Sequence, residues 1–363
     1  LYYGWSNSAL LFGSELKAVK QFPNFQNKIQ RSVLPLYLKF NYIPAPHCIY
    51  ENFYKVMPAE LVQFKLHSGV CNKINQQYYW SLDSTIQSSQ ANLIADFEDA
   101  KSLVQSSLER SIKLQMQSDV SLGAFLSGGI DSSLVVAFMQ KNSMSKIKTF
   151  TARFEDASLD ESIHAKNISN YLGVENTTAT VSSTQAQTVI QNLATIYDEP
   201  FADSSQIATT LISAVAKNEV TVALSGDAGD EVFGGYNRYK WAPAIWQKVN
   251  NHPILIRKLL SKSLGLLTTS SWNSFERTMS SALPAKYAIS LVGKKVQKIQ
   301  SILEHAYSPQ DLYKLLVEQP NSQDILSPES DANSLDDFRL ENKFLNLGVA
   351  HQMMANDTVT YLP

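Results

Sequence analysis

The sequence predicts a doubly wound α/β fold on a parallel sheet, and three observations predict it. Short apolar runs alternate with helix-length amphipathic stretches from about residue 97 to residue 224. Two of the runs, 120–126 and 220–224, are mostly apolar, as strands buried on both faces are. Both deliver a Ser-Gly pair at the carboxyl end, Ser127-Gly128 and Ser225-Gly226. Ligands of open α/β sheets bind in the crevice at those ends.

Taken in order, residues 10–13 read as a strand and residues 14–20 as a short helix. A second helix is expected over 32–40, with Pro35 in its first turn, where a missing N–H costs little. Pro44, Pro46 and Pro58 punctuate the chain beyond it, and residues 61–66 alternate as a strand should before a turn at His67-Ser68-Gly69. Residues 81–92 are polar and Ser/Gln-rich and read as a linker. Phe97, Val104, Leu108 and Ile112 then recur at helical spacing, which predicts a long amphipathic helix. After strand 120–126 a helix is expected over 133–141, beginning beside Ser132 or Ser133, and a strand over 147–154. Ser158-Leu159-Asp160-Glu161 reads as a capping box that opens a helix ending at Gly173. Residues 177–181 and 220–224 complete the strands, 183–197 and 205–217 the helices, and from Trp241 onward the pattern is mostly helical.

The bulk properties bound the function. The chain has 363 residues, 44% of them hydrophobic, and a formal net charge of −2, so no basic field points to nucleic acid. No apolar run approaches the length of a membrane helix. Two cysteines, Cys48 and Cys71, are too few for a disulfide scaffold, so a cytoplasmic enzyme or binding protein is expected. The six histidines lack metal-site spacing, the tryptophans are scattered, and the Lys294-Lys295 pair reads as a solvated face. The chain opens at Leu1-Tyr2-Tyr3-Gly4 and ends at Tyr361-Leu362-Pro363, and both ends read as cuts through folded protein, so a fragment is expected.

Two loops carry chemistry. In Ser127-Gly128-Gly129-Ile130-Asp131-Ser132 a buried strand meets adjacent glycines and then a helix. Inward N–H groups, serine hydroxyls and the positive helix end form an anion cradle. Its spacing is neither that of a Walker A loop nor that of a dinucleotide fingerprint. The second loop, Ser225-Gly226-Asp227-Ala228-Gly229-Asp230-Glu231-Val232-Phe233-Gly234-Gly235-Tyr236, concentrates carboxylates and glycines after another buried strand. Side by side, the loops would bring Asp131 and Asp230 together, an arrangement that suits Mg²⁺ between carboxylates and phosphates. Taken alone, either loop could still be a strand–helix turn or an acidic surface turn.

Residues 125–133, Asp198-Glu199-Pro200-Phe201-Ala202-Asp203-Ser204-Ser205 and the 225–236 loop resemble segments of the glutamine-hydrolysing asparagine synthetases of the B type. Leu1-Tyr2-Tyr3-Gly4, Phe12-Gly13-Ser14-Glu15-Leu16-Lys17-Ala18 and Tyr42-Ile43-Pro44-Ala45-Pro46 resemble the late part of that family's glutaminase domain and the passage beyond it. The resemblance runs to about Tyr239 and resumes over 357–363. It implies an ATP-pyrophosphatase (PP-loop, adenine nucleotide alpha hydrolase-like) sheet, preceded by the end of an N-terminal-nucleophile glutaminase domain. The implied division is 1–75 for the glutaminase remainder, 76–92 for the linker and 93–363 for the synthetase domain.

The implied reaction is amidation of aspartate through β-aspartyl-AMP, with ammonia from glutamine and release of AMP and pyrophosphate. By motif match, Leu126, Ala152, Ser225 and Gly226 would touch ATP. Ser127, Gly128, Gly129 and Ser132 would hold pyrophosphate, Asp131 and Asp230 would hold Mg²⁺, and Asp227 would act in forming the intermediate. Many members carry Glu where Asp227 stands, the family's cysteine nucleophile would precede Leu1, and its phosphate-neutralising lysine would lie beyond Pro363. Cys48 is expected to be an inert thiol, and Lys217, Arg238 and Lys240 are expected to be solvated charges. The partners implied are small molecules, with no nucleic acid and no membrane, and a homodimer is compatible with the sequence. Two other readings stay open: a relative that amidates or cyclises another carboxylate, such as a β-lactam synthetase, and a non-catalytic nucleotide-binding module.

Overall fold

The computed structural model describes residues 1–67, 70–156, 160–266, 271, 272, 274, 292–319, 344 and 346–362. The chain forms two compact units, Leu1–Lys28 with Tyr50–Phe233, and Ile29–Ile49 with Gly234–Pro363.

In the first unit, β1 (Tyr2–Ser6), β2 (Ala9–Gly13) and β3 (Phe53–Lys55) make an antiparallel sheet with β1 in the centre. Tyr3 pairs with Phe12 on one side and Tyr54 on the other. Helix α1 (Leu16–Val19) comes after β2 and is shorter than the expected 14–20. Helix α2 (Leu34–Phe40), with Pro35 in its first turn, belongs to the second unit. Back in the first unit, β4 (Glu60–His67) and β5 (Val70–Tyr78) form a hairpin whose register shifts at Gln63/Phe64. Ser68 and Gly69 of the expected turn lie outside the described residues. The segment read as a linker holds a short helix, α3 (Leu82–Gln90), with no buried residue; Ser81 caps it by accepting from the Ser84 N–H at 3.2 Å.

Helix α4 (Phe97–Gln115) is capped by Asp96, whose Oδ1 accepts from Glu98 and Asp99. Only its second half packs: Ile112 is buried and Leu108 lies against the same core, whereas Phe97 is 75% exposed. The sheet itself is β6 (Leu122–Phe125), β7 (Lys148–Phe154), β8 (Glu175–Val181) and β9 (Val222–Leu224), all parallel, in the order β8-β7-β6-β9. Its helices are α5 (Ile130–Lys141), α6 (Ser162–Leu172), α7 (Ser183–Ile196), α8 (Ser205–Ala216) and the short α9 (Gly229–Phe233). Consecutive residues of a strand face opposite ways. Ala124 and Leu126 join Ile112, Val136 and Ala165 in one core cluster, while Phe125 packs with Phe150, Ile212 and Ala216 in another. Both faces of the sheet are therefore covered by helices, which is the doubly wound arrangement. Helix α6 ends at Gly173 in a left-handed cap with φ 69°.

The second unit is helical: besides α2 it holds α10 (Asn237–Asn250), α11 (Ile254–Gly265), α12 (Val292–His305), α13 (Pro309–Val317) and α14 (Val349–Thr360). Asp357 of α14 is 1% exposed at its centre. It accepts from Arg238 Nη2 at 2.7 Å, from Tyr313 OH at 2.8 Å and from Tyr239 OH. Arg238 is thus a half-buried ion-pair partner and not the solvated charge expected, because α10 packs against α14 and turns its guanidinium inward. Cys48 is fully buried. No described helix is long and apolar enough to cross a membrane.

Candidate active site

The strand order reverses at β6: β7 and β8 lie on one side and β9 on the other. The loops leaving β6 and β9 therefore diverge at a topological switch point, where the sheet opens a crevice.

The first loop is shaped by hydrogen bonds along its own length. Leu126 is tied to β7 through its N–H, given to the Phe150 carbonyl at 2.8 Å, and through its carbonyl, which accepts from Thr151 Oγ1 at 2.7 Å. The chain then turns at Gly128, with φ 87°, a left-handed conformation that L side chains rarely adopt. A Cβ there would also lie 2.8 Å from the Ala165 nitrogen of α6. Gly129, extended, is the N-cap of α5 and offers no side-chain cap. Its N–H donates to Ser127 Oγ at 3.2 Å and its carbonyl accepts from Ser133 Oγ at 2.6 Å. Ser127 and Ser132 hydroxyls stand 3.0 Å apart. The helix begins at Ile130, three residues before the expected 133, so Asp131 and Ser132 occupy its first turn. Their position puts them among the N–H groups that lack an intrahelical partner, at the positive end of the dipole.

The second loop lies directly on the first. A Cβ at Gly226 would be 2.7 Å from the Ser132 nitrogen, and one at Gly229 would be 2.7 Å from Asp131 Oδ1. The Asp131 carboxylate therefore rests over the start of α9, one residue before Asp230. Ser225 Oγ donates to Asp227 Oδ2 at 2.7 Å, and Ala228 beside it holds φ 75°, a strained value for a residue with a side chain.

Between the loops lies a cleft of about 460 Å³, within the usual range for small-molecule sites. Leu126, Ser127, Gly129, Asp131, Ser132, Ala152, Ser225, Gly226, Asp227 and Asp230 all line it. Of the residues singled out from the sequence, Gly128 does not; it faces α6 instead. The sequence reading missed the apolar wall made by Phe154 of β7 and by Ala208, Thr209 and Ile212 of α8. It also missed Glu161, which lines the cleft as the N-cap of α6 and makes no side-chain cap bond. The expected capping box is not what starts this helix. Asp160 Oδ1 accepts the Ser162 N–H at 3.0 Å, and bonds from Ser162 hold the Asp160 carboxyl below its ordinary range. Ser158 lies outside the described residues. The signal that could have found the α8 wall is Ile212 and Ala216 at helical spacing against a buried strand.

Among the described residues no group of three or more His, Cys, Asp or Glu is placed to hold a metal ion. Asp131 and Asp230 are hard oxygen donors on one cleft. That set suits Mg²⁺, which usually takes one or two carboxylates and completes its shell with phosphate oxygens and water.

Residues 103–363 match a family model described as asparagine synthase, and residues 1–80 match one described as a glutamine amidotransferase domain. The chain is similar to a putative asparagine synthetase (glutamine-hydrolyzing) 2 of Methanocaldococcus jannaschii, 36% identical over 242 residues, covering 65% of this chain and 44% of the relative. It is also similar to asparagine synthetase (glutamine-hydrolyzing) 1 of Bacillus subtilis, 31% identical over 260 residues, 72% of this chain and 39% of that one. The chain spans less than half the length of either relative. A solved NH3-dependent NAD synthetase from Campylobacter jejuni overlaps 57% of this chain with a TM-score of 0.28 and 11% identity.

Proposed function

This chain belongs to the asparagine synthase family, and we propose that its cleft joins ATP to the side-chain carboxylate of aspartate as β-aspartyl-AMP, which ammonia from glutamine converts to asparagine. Pyrophosphate leaves in the first step and AMP in the second. A carboxylate is a poor electrophile until one oxygen belongs to a good leaving group, and adenylation supplies that group. The observation that carries the reading is the seating of Gly226 on Asp131-Ser132, which joins the two Ser-Gly loops into one site across the switch point.

The residues divide the work. Leu126, Ala152, Ser225 and Gly226 hold the nucleoside part, and the start of α5 with Ser127, Gly129 and Ser132 receives the pyrophosphate, while Gly128 supplies the turn that shapes the loop. Preorganised N–H and O–H donors aimed at charge that develops in the transition state lower its energy. Asp227 acts on the intermediate: Ser225 engages one of its oxygens, and the other is left to take the proton that attacking ammonia must shed. Asp131 and Asp230 would hold Mg²⁺, which when bound neutralises charge on the departing pyrophosphate. The apolar wall from Phe154 and α8 excludes water from the adenylate. A division into glutaminase remainder (1–75), linker (76–92) and synthetase domain (93–363) is part of the proposal, supported by the two matched ranges. So is a cytoplasmic setting.

The test is AMP formation from Mg·ATP with aspartate and ammonia. AMP release with another carboxylic acid but none with aspartate would refute the substrate. Calorimetry of Mg·ATP binding to Asp131→Asn and Asp230→Asn tests the metal assignment: each is expected to weaken binding, and unchanged affinity in both overturns it.

A further inference from the structure

The α8 wall of the cleft is reached through a segment fastened to the N-terminal strands. Asp198 Oδ2 accepts the Leu16 N–H at 2.7 Å, and Oδ1 accepts the Lys17 N–H at 3.1 Å. Lys17 Nζ lies 3.6 Å from the same carboxylate and donates to the Ile196 carbonyl at 3.1 Å. Helix α1 gets no side-chain cap from its own N-cap residue, Glu15. Its first-turn donors are satisfied from far along the chain. The next residue repeats the pattern: Glu199 pairs with Lys55 Nζ at 2.6 Å and accepts from Tyr2 OH at 3.2 Å, and its side chain is 9% exposed. Elements β1, β3 and α1, all in the range matching the glutamine amidotransferase model, thus converge on two consecutive residues in the range matching the synthase model.

From this clasp to the cleft the path is short and braced. Tyr197 and Phe201 pack with ring centroids 5.4 Å apart and planes tilted by 40°. Asp203 Oδ1 accepts the Ser205 N–H at 2.8 Å, and Gln206 Nε2 donates to the Phe201 carbonyl at 3.2 Å. Helix α8 begins there, and Ala208, Thr209 and Ile212 form the cleft wall within its first two turns. Charge-assisted bonds are among the strong ones, and coupling between sites is carried by packed side chains and hydrogen-bond networks of this kind. We infer that Asp198 and Glu199 are positioning residues, which set the α8 wall of the nucleotide cleft by clasping it to the N-terminal strands. The choice of Mg·ATP as the probe rests on the proposed function.

The experiment uses the full chain with Asp198→Ala, Asp198→Asn and Glu199→Gln. Mg·ATP affinity is read by calorimetry, backbone hydrogen exchange over 205–216 by mass spectrometry, and fold by thermal melting. Asp198→Ala is expected to weaken Mg·ATP by about tenfold and to speed exchange in α8 but not in α5. Asp198→Asn, which keeps one carbonyl acceptor, should recover part of the affinity, and Glu199→Gln should cost about threefold. Folded Asp198→Ala and Glu199→Gln proteins with wild-type affinity, or with faster exchange confined to residues 1–28, overturn the inference. Should Asp198→Ala fail to fold, Asp198→Asn and Glu199→Gln decide by the same readings. If the wild-type chain binds no Mg·ATP, the nucleotide reading falls alone, because the exchange comparison still scores the clasp.

Discussion

Gly226→Ala isolates the contact on which the site depends. The added methyl would stand 2.7 Å from the Ser132 nitrogen, 3.0 Å from Ser132 Cα and 3.1 Å from the Asp131 carbonyl carbon. Non-bonded heavy atoms are comfortable at about 3.5 Å or more, so the two loops must part by about 0.8 Å. Neither yields easily, since the atoms struck are backbone in the first turn of α5, and Ser132 is buried. Overpacking of this kind costs about 1–3 kcal/mol, or roughly 2–4 °C of melting temperature per kcal/mol in a unit of this size. A shift near 1 Å between groups that must meet in a reaction costs on the order of 100-fold in rate. Gly226→Ala is therefore expected to melt a few degrees lower and to lose about two decades of aspartate-dependent AMP formation. Gly173→Ala is the control. It also places a side chain at positive φ, 69°, but in open space, so it should cost about 1–2 kcal/mol and leave turnover unchanged. Equal turnover in Gly226→Ala and Gly173→Ala would refute the claim that loop-to-loop contact assembles the site.

Ala228 is strained at φ 75°. Ala228→Gly should relieve about 1 kcal/mol of strain and forfeit part of it to the freer unfolded chain, for a net gain of about 0.5 kcal/mol in urea unfolding; a loss would show that the left-handed backbone carries no strain. Alkaline stability gives a second check. Burial, reinforced by Asp357, pushes the hydroxyls of Tyr42, Tyr239 and Tyr313 above the usual tyrosine range. Their contribution is complete below about pH 10, where the unfolded chain also keeps them protonated, and falls as pH rises further, by about 1.4 kcal/mol per pH unit for each tyrosine. Urea unfolding of wild type and Tyr313→Phe between about pH 9 and 11 should show a shallower decline in the variant.

The sheet is legible in the sequence because its strands are short apolar runs between helix-length stretches, and the two Ser-Gly loops because each ends such a run. The features that escape have no local signature. Gly129 caps α5 with backbone alone, so nothing in its side chain announces that the helix starts at Ile130. Glu161 resembles a capping partner because a carboxylate three residues after a serine fits that pattern; in the fold Asp160 takes the Ser162 N–H, and Glu161 faces the cleft. Arg238 reads as solvated because its partner Asp357 lies 119 residues away. The periodic stripe of α4 predicts a long amphipathic helix, and the helix is there, but Phe97 is exposed and only the half around Ile112 packs. Periodicity reports which residues share a face, not how far a neighbouring element extends along it.

The electrostatics of the cleft bear on the order of events. Asp131, Glu161, Asp227 and Asp230 line it, and no Lys, Arg or His stands among its described lining residues. The start of α5 offers about half a positive charge and the serines only dipoles, which is too little to seat a triphosphate against four carboxylates. On the proposed function the nucleotide would bring its own counter-charge, so Mg·ATP is expected to bind and ATP alone to bind poorly. The same balance disfavours aspartate in the empty cleft, since both of its carboxylates would meet like charge. On the proposed reading, Mg²⁺ brought with the nucleotide would be held by Asp131 and Asp230 and would supply the positive charge that offsets these carboxylates. Aspartate would then enter second, after the nucleotide.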